Sequence, residues 1–251
     1  MSEIKEAVQA QFGSVAANYK TSQVHAAGED LKTLTHLAAQ YPGAAILDVG
    51  CGAGHAAVAV AGSAREVVAF DLTAGMLTQV SQLAEERGIT NIRTQQGDVE
   101  NLPFEDAAFD LVITRLSAHH WVNPLKAVQE CRRVLKPGGR FLLSDMVSVD
   151  DFAADTFLQA IELLRDRSHV RDHSTAQWLT MLAQAGFTGQ VNSTWGIPLD
   201  FGSWVARMAT PSAKVAMLQT LFDEAPDTVR ETFQIKPDYH FTLPSALIEG
   251  E

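Results

Sequence analysis

The stretch ILDVGCGAGHAAVAVA, residues 46–61, decides the fold. An apolar run carries Asp48 near its end, glycines follow at 50, 52 and 54, and an alanine-rich segment starts at His55. Glycine is the residue that turns a strand abruptly into a helix, because it adopts left-handed backbone and lets a ligand approach the main chain. The helix start then offers free N–H groups and the positive end of its dipole. The stretch therefore reads as strand, ligand-cradling turn and helix.

Outward from it the same unit recurs. AAILDVG (44–50), EVVAFD (66–71), NIRTQQGD (91–98), FDLVITR (109–115) and RFLLSDMVS (140–148) read as short buried strands. HAAVAVAGSA (55–64), AGMLTQVSQLAEERG (74–88) and PLKAVQECRRVL (124–135) read as helices between them. Apolar strands alternating with helices predict an α/β fold with a doubly wound, mostly parallel sheet and right-handed crossovers. After residue 150 the rhythm changes. DFAADTFLQAIELLRDR (151–167) reads as a long helix, and STAQWLTMLAQAGF (174–187) as another, capped by Ser174 or Thr175 and stopped by Gly186. TGQVNSTWGIPLDF (188–201) reads as extended, residues 203–225 as helix broken at Pro211, and HFTLPSALIEG (240–250) as a closing strand. The expected organisation is one domain, 1–251: an N-terminal helical arm (1–40), a cofactor-binding core (41–150), and a substrate lid with closing strands (151–251).

Composition bounds the rest. The 251 residues carry 19 Lys and Arg against 30 Asp and Glu, a net charge of −11, which disfavours nucleic acid as a partner. Arg132 and Arg133 read as a solvated helix face. No apolar run reaches the ~18 residues of a membrane span, and the N-terminus lacks the apolar core of a signal peptide. Two cysteines, Cys51 and Cys131, make no disulfide framework. Together these features predict a cytoplasmic protein with no stable membrane insertion. Oligomeric state is open, a homodimer included.

Two ligand classes compete for the turn. GAGHAA (52–57) satisfies the G-x-G-x-x-A fingerprint of dinucleotide sites, a weak signal when alone. The acids argue otherwise. Asp48 lies two residues before Gly50, where a diphosphate gains nothing and a positively charged ligand does. Asp71 ends the second strand, where a carboxylate accepts both hydroxyls of a ribose. Asp98 ends the third, within reach of an adenine amino group.

D-x-G-x-G-x-G at 48–54, Asp71, GDVENLPFEDAAFD at 97–110 and RVLKPGG at 133–139 occur in that order. Over roughly residues 10–150 the chain thereby resembles the class I S-adenosylmethionine-dependent methyltransferases. FGSVAANY (12–19) and LPFEDAAFDLV (102–112) are similar to the ubiquinone/menaquinone C-methyltransferase branch and its small-molecule relatives. The resemblance implies a seven-stranded sheet of order 3-2-1-4-5-7-6 with strand 7 antiparallel, and S-adenosyl-L-methionine as cofactor. It implies that Gly50, Cys51, Gly52 and Gly54 line the methionine moiety, with Cys51 a packing residue rather than a nucleophile. Asp48 orients the turn or meets the cofactor's ammonium through water. Asp71 binds the ribose, Leu72 and Met76 flank the adenine, and Asp98 and Val99 meet its edge. Arg115 touches the methionine end or pairs with Asp48. Tyr19, with Phe12 on the same arm, closes over the cofactor, and His25 lies further along.

Methyl transfer needs alignment and exclusion of water, and a base when the nucleophile enters protonated. His119 and His120 follow the fourth strand at its carboxyl edge and are the candidates, His120 first, with Trp121 as wall. His169 and His173 form a second pair read as a substrate rim, and no metal is expected. Phe152, Trp178, Trp195, Phe201 and Trp204 supply a lid, an apolar pocket or ordinary core. The function expected is S-adenosylmethionine-dependent methylation of a small, partly apolar acceptor at carbon, oxygen or sulfur. The alternatives are a methyltransferase acting on RNA or protein and a catalytically inactive cofactor-binding homologue. A nicotinamide-dependent oxidoreductase ranks last.

Overall fold

The structure, a computed structural model, describes residues 2–20 and 28–251, with the backbone alone between 14 and 20. Seven strands form one sheet: β1 Ala45–Val49, β2 Glu66–Asp71, β3 Ile92–Gln96, β4 Phe109–Arg115, β5 Leu135–Met146, β6 Gly189–Leu199 and β7 Phe241–Gly250. Their order is β3-β2-β1-β4-β5-β7-β6. The first five are parallel, and β7 runs antiparallel to both β5 and β6. The sequence-based expectation of fold and strand order is met.

Side chains alternate between two cores, as the pleat requires. Leu47, Val49, Phe70, Val112 and Phe141 pack on one face beneath α5 (Pro124–Val134) and α7 (Thr175–Gln184). Ile46, Val67, Leu111 and Ile113 pack on the other beneath α2 (Glu29–Ala38), α3 (His55–Val60) and α4 (Ala74–Glu86). Each fully buried Leu, Val or Phe contributes about 1.5–3 kcal/mol, which is why uniformly apolar strands choose the sheet centre. A third core joins α6 (Phe152–Arg165), α8 (Phe201–Arg207), α9 (Ser212–Asp223) and α10 (Asp227–Phe233) to β7 through Phe157, Trp204, Phe222 and Phe233.

Local departures have local causes. Helix α3 ends at Val60, and residues 61–63 form a turn short of the expected residue 64. Strand β5 starts at Leu135, because the Lys-Pro-Gly-Gly segment stays extended beside β4 with an irregular register. Ser174 wins the cap of α7 by closing a capping box with Gln177. Pro211, which lacks an N–H, sits at the N-cap of α9 and separates it from α8. Helix α10 escapes the sequence reading because only Val229 and Phe233 of its seven residues are buried.

Helix α1 (Glu3–Lys20) packs on α4 and reaches α8. It crosses above the carboxyl edge of the sheet, the side on which open α/β folds bind ligands.

Candidate active site

The carboxyl ends of β1, β2 and β4 open into a cleft of about 1010 Å³. Asp48 stands in its floor, completely buried, and the Ala57 N–H turns toward its carboxylate without closing a full hydrogen bond. Burial pushes its pKa up to about 7, with Asp71 adding to the rise and the Ala57 N–H and Arg115 opposing it. An orphaned acid at this depth is costly unless a ligand uses it. Asp71 is pinned differently. Its Oδ2 accepts the Gly52 N–H at 3.0 Å and its Oδ1 the Thr73 N–H at 2.8 Å. Burial raises its pKa against those bonds.

The glycines divide in role. Gly50 and Gly52 line the cleft. At Gly52 (φ 51°) no atom lies within 4 Å of where a side chain would start, so the backbone is open to a ligand. Gly54 does not line the cleft, contrary to expectation. It takes φ 90° at the N-cap of α3, where a side chain would meet Val80 within 2.9 Å. It serves close packing of α3 on α4. Cys51 lines the cleft and packs into the core, and burial raises its thiol pKa far above the usual range, as a packing residue requires.

Leu72, Met76, Asp98 and Val99 bring the cleft to its far end. Asp98 lies beyond β3 and caps the short turn Val99–Asn101, accepting the Glu100 N–H at 3.0 Å. Lys5 of α1 reaches across to Asp98 Oδ2 at 2.6 Å and Glu100 Oε2 at 2.8 Å. Gln9 of the same helix donates to the Leu72 carbonyl at 3.0 Å. Arg115 lines the cleft but pairs with Asp30 of α2, not with Asp48. Asp48 is in register with Ile113, two residues short of Arg115, so the guanidinium clears the strand edge and meets α2 there. The Tyr19 side chain and His25 fall outside the described residues.

A second cavity of about 480 Å³ adjoins the first, and the two share Phe12, Leu116 and His120. Leu116 follows β4 in the left-handed region (φ 51°), a conformation a branched side chain adopts at a cost of about 1–3 kcal/mol. His119 and His120 form the next turn, with ring centroids 4.1 Å apart. His119 Nδ1 meets Asp145 Oδ1 at 2.7 Å, and Asp145 Oδ2 accepts the Ser117 and Ala118 N–H groups at 3.1 and 2.6 Å. Burial opposes charge on His119, yet Asp145 holds its pKa up at about 9. Burial and the His119 charge push His120 down to about 4. His120 Nδ1 lies 3.0 Å from the Ser168 carbonyl, an acceptor only, so that nitrogen carries the proton and Nε2 the lone pair. Asp166 Oδ2 stands 4.0 Å from Nε2. Phe12 meets the His120 ring edge-on at 4.9 Å.

Other expected residues scatter. Trp121 walls the cleft. His169 is buried against Gln159 at 3.1 Å, and His173 packs edge-on to Trp178 at 5.2 Å, so the two do not form a rim. Of the aromatics named, Trp204 lines the second cavity, Trp178 and Phe201 are core, Trp195 packs against the core, and Phe152 is 89% exposed. Among the described residues no group of three His, Cys, Asp or Glu is placed to hold a metal, and no helix is long and apolar enough to cross a membrane.

Lys5, Asp30, Asp145, Arg165 and Arg207 were not found by sequence reasoning. Asp145 carried a usable signal, an acid closing the apolar run of β5, the same signal that marked Asp48 and Asp71. The others are placed by tertiary contacts alone.

An orphaned acid, an open glycine backbone and a second carboxylate on the β2 end fit a ligand with a positive charge and a ribose. The comparisons agree. A family model described as a methyltransferase domain matches residues 47–143. The uncharacterized methyltransferase YcgJ of Bacillus subtilis strain 168 is 37% identical over 95% of this chain and 96% of its own. The chain belongs to the class I S-adenosyl-L-methionine-dependent methyltransferases, a family whose cofactor is S-adenosyl-L-methionine. It is also similar to the uncharacterized protein YafE of Escherichia coli K12, 44% identical over 73% of this chain and 89% of the other. The crystal structure of YcgJ superposes with a TM-score of 0.83 at 35% identity, covering 87% of this chain and 97% of that one.

Proposed function

We propose that this enzyme methylates a small, partly apolar acceptor held in the second cavity, with the cofactor in the larger cleft. The observation that carries the reading is the junction: among the described residues the two cavities meet at Phe12, Leu116 and His120, and at no acid. When bound, S-adenosyl-L-methionine supplies an electrophilic methyl on a sulfonium, open to in-line displacement. The chain's own residues then have separate tasks. Asp71, already oriented by two backbone N–H groups, receives the ribose hydroxyls. Asp48 supplies the negative charge that a cationic ligand compensates. Leu72 and Met76 hold an apolar ring, with Asp98 and Val99 at its edge. Arg115, neutralised by Asp30, braces the cleft wall.

His120 is the base. It is neutral at physiological pH with its lone pair on Nε2, and Asp166 at 4.0 Å offsets part of the opposition that burial and the His119 charge raise against an imidazolium there. His119 is fixed to Asp145 and orients its neighbour rather than accepting the proton. Phe12 and Trp121 keep water from the junction.

The test is calorimetric titration with S-adenosylmethionine and with NADH, followed by a labelled-methyl screen over phenols, thiols, quinols and RNA. Binding of S-adenosylmethionine alone, with transfer to small molecules, is expected. Transfer to RNA only, or NADH binding in its place, would overturn the reading.

A further inference from the structure

We propose that the smaller cavity recognises an organic anion, so that the methyl acceptor carries a carboxylate or phosphate on an apolar body. This rests on the methyltransferase reading above and concerns its acceptor side alone. The wall of that cavity holds His119, Arg165 and Arg207 among apolar residues, and no Asp or Glu among the described residues. The chain as a whole has a net charge of −11, so this is a local reversal of sign.

The reversal is built by the orientation of two ion pairs. His119 faces the cavity with Asp145 behind it at 2.7 Å. Arg165 faces it with Glu162 behind at 2.6 Å. Asp145 is 1% exposed and Glu162 is fully buried. In both pairs the cation stands on the wall and the acid is withdrawn. Asp172, buried in the same region, is pushed up to about 8 by burial and so adds little negative charge near neutrality, while Asp166, 1% exposed behind His120, keeps its charge but is withdrawn like the other two acids. Arg207 completes the wall from α8. The neighbouring cofactor cleft leans the other way, with Asp48, Asp71, Asp98 and Glu100 against Lys5 and Arg115. One site suits a cation and the other an anion.

The apolar part of the wall sets the rest of the ligand. Ile197, Leu199 and Trp204 lie beside the guanidinium groups, and the Arg165 guanidinium stacks over the Trp204 ring at 5.0 Å. A flat or aliphatic body packs there while its charged group meets the arginines, and His120 is left at the reacting end. Charge-assisted hydrogen bonds to guanidinium are the strong ones, and a neutral isostere forfeits them.

The experiment is calorimetric titration of the full chain with paired probes: benzoate against benzamide, octanoate against octanamide, and phenyl phosphate against phenol. Each anion is expected to bind about tenfold or more tightly than its neutral partner. The carboxylate and phosphate arms identify the headgroup. Arg207→Gln should reduce the preference to about threefold or less while leaving S-adenosylmethionine affinity unchanged. Arg165→Gln alone leaves Glu162 buried without its partner and endangers folding. The double variant Glu162→Gln/Arg165→Gln replaces the pair by a neutral one and should also reduce the preference, with a thermal melt reporting that it folds. Equal affinity within the pairs, no anion binding at millimolar concentration, or a preference untouched by Arg207→Gln would overturn the proposal. S-adenosylmethionine is titrated in the same series. Its failure to bind removes the methyltransferase reading, whereas its binding without anion preference removes this inference alone.

Discussion

Asp48→Asn should make the protein more stable at alkaline pH and worse at binding its cofactor. The Asp48 carboxyl is fully buried, has only a poorly formed bond from the Ala57 N–H, and has its pKa pushed up from 3.8 to about 7. A carboxyl raised on folding supports the native state below its unfolded pKa and withdraws that support as pH rises through the folded one. One pH unit of separation is worth about 1.4 kcal/mol, so ionising Asp48 costs the native state about 4 kcal/mol by pH 8. An asparagine carries no such cost, but its amide buries donors without partners, at about 1–3 kcal/mol independent of pH. The variant is therefore expected to be about 1–3 kcal/mol more stable than the wild type near pH 8, and equal or less stable near pH 4. For a chain of this length each kcal/mol moves the melting temperature by about 2–4 °C. Urea unfolding from about pH 4 to 8 at matched m-values is the assay. A difference between variant and wild type that does not grow across that window refutes the argument, because it would mean that the acid is not ionising in a buried site. Calorimetry with S-adenosylmethionine completes the test. Weaker binding by the more stable variant would mark Asp48 as a residue kept for its ligand.

Asp71 holds the Gly52 and Thr73 N–H groups, so Asp71→Ala would confuse folding with binding; Asp71→Asn should instead weaken S-adenosylmethionine binding about 10–100-fold with a modest change in melting. Unchanged affinity would remove the ribose assignment. His120→Ala should lower turnover with cofactor affinity nearly intact, while His119→Ala, which leaves Asp145 buried and unpaired, should cost about 3–5 kcal/mol of stability by denaturant unfolding. A fully active His120→Ala variant would dismiss it as base. Nitrogen-15 NMR titration should find His119 losing its proton near pH 9 and His120 near pH 4. In Asp145→Asn the His119 value should fall and the His120 value rise, and matching titrations in both proteins would exclude the coupling. Lys5→Ala should speed amide exchange over residues 3–13, since Lys5 ties α1 to Asp98 and Glu100. No change in exchange would mean that the helix is fastened elsewhere.

The fold was legible because the sheet imposes a repeating demand on the chain. Ile46, Leu47 and Val49 must all be apolar when helices cover both faces, and the strand must end where the glycines begin, directly after Asp48 and Val49. Such constraints act between neighbours in sequence and leave a local trace. The larger cleft was legible for the same reason, since Asp48 and the open backbone at Gly52 lie at or just past the end of β1 and Asp71 at the end of β2. Asp98, read as the last residue of β3, stands two residues past the observed strand end at Gln96, because no residue of β3 is fully buried and its boundary leaves no apolar trace.

The acceptor side was legible at His119, His120 and Trp204 but not in its arginines, and the reason is geometric. His119, Arg165 and Arg207 come from a turn after β4 and from α6 and α8, and only the third core brings them to one wall. Arg165 three residues after Glu162 reads in sequence as a helix-surface ion pair. Which partner faces the cavity depends on how α6 is rotated against Trp204, and that rotation is set by the burial of Phe157, Leu158 and Ile161 on β7 and its neighbours. The arginine of Arg115 shows the same limit in reverse. Its place at a strand end suggested Asp48 as partner, one strand away, whereas α2 delivers Asp30 from 85 residues earlier in the chain. A charge in a strand can be read locally, but the sign of a pocket wall belongs to the packing of helices that meet only in the folded protein.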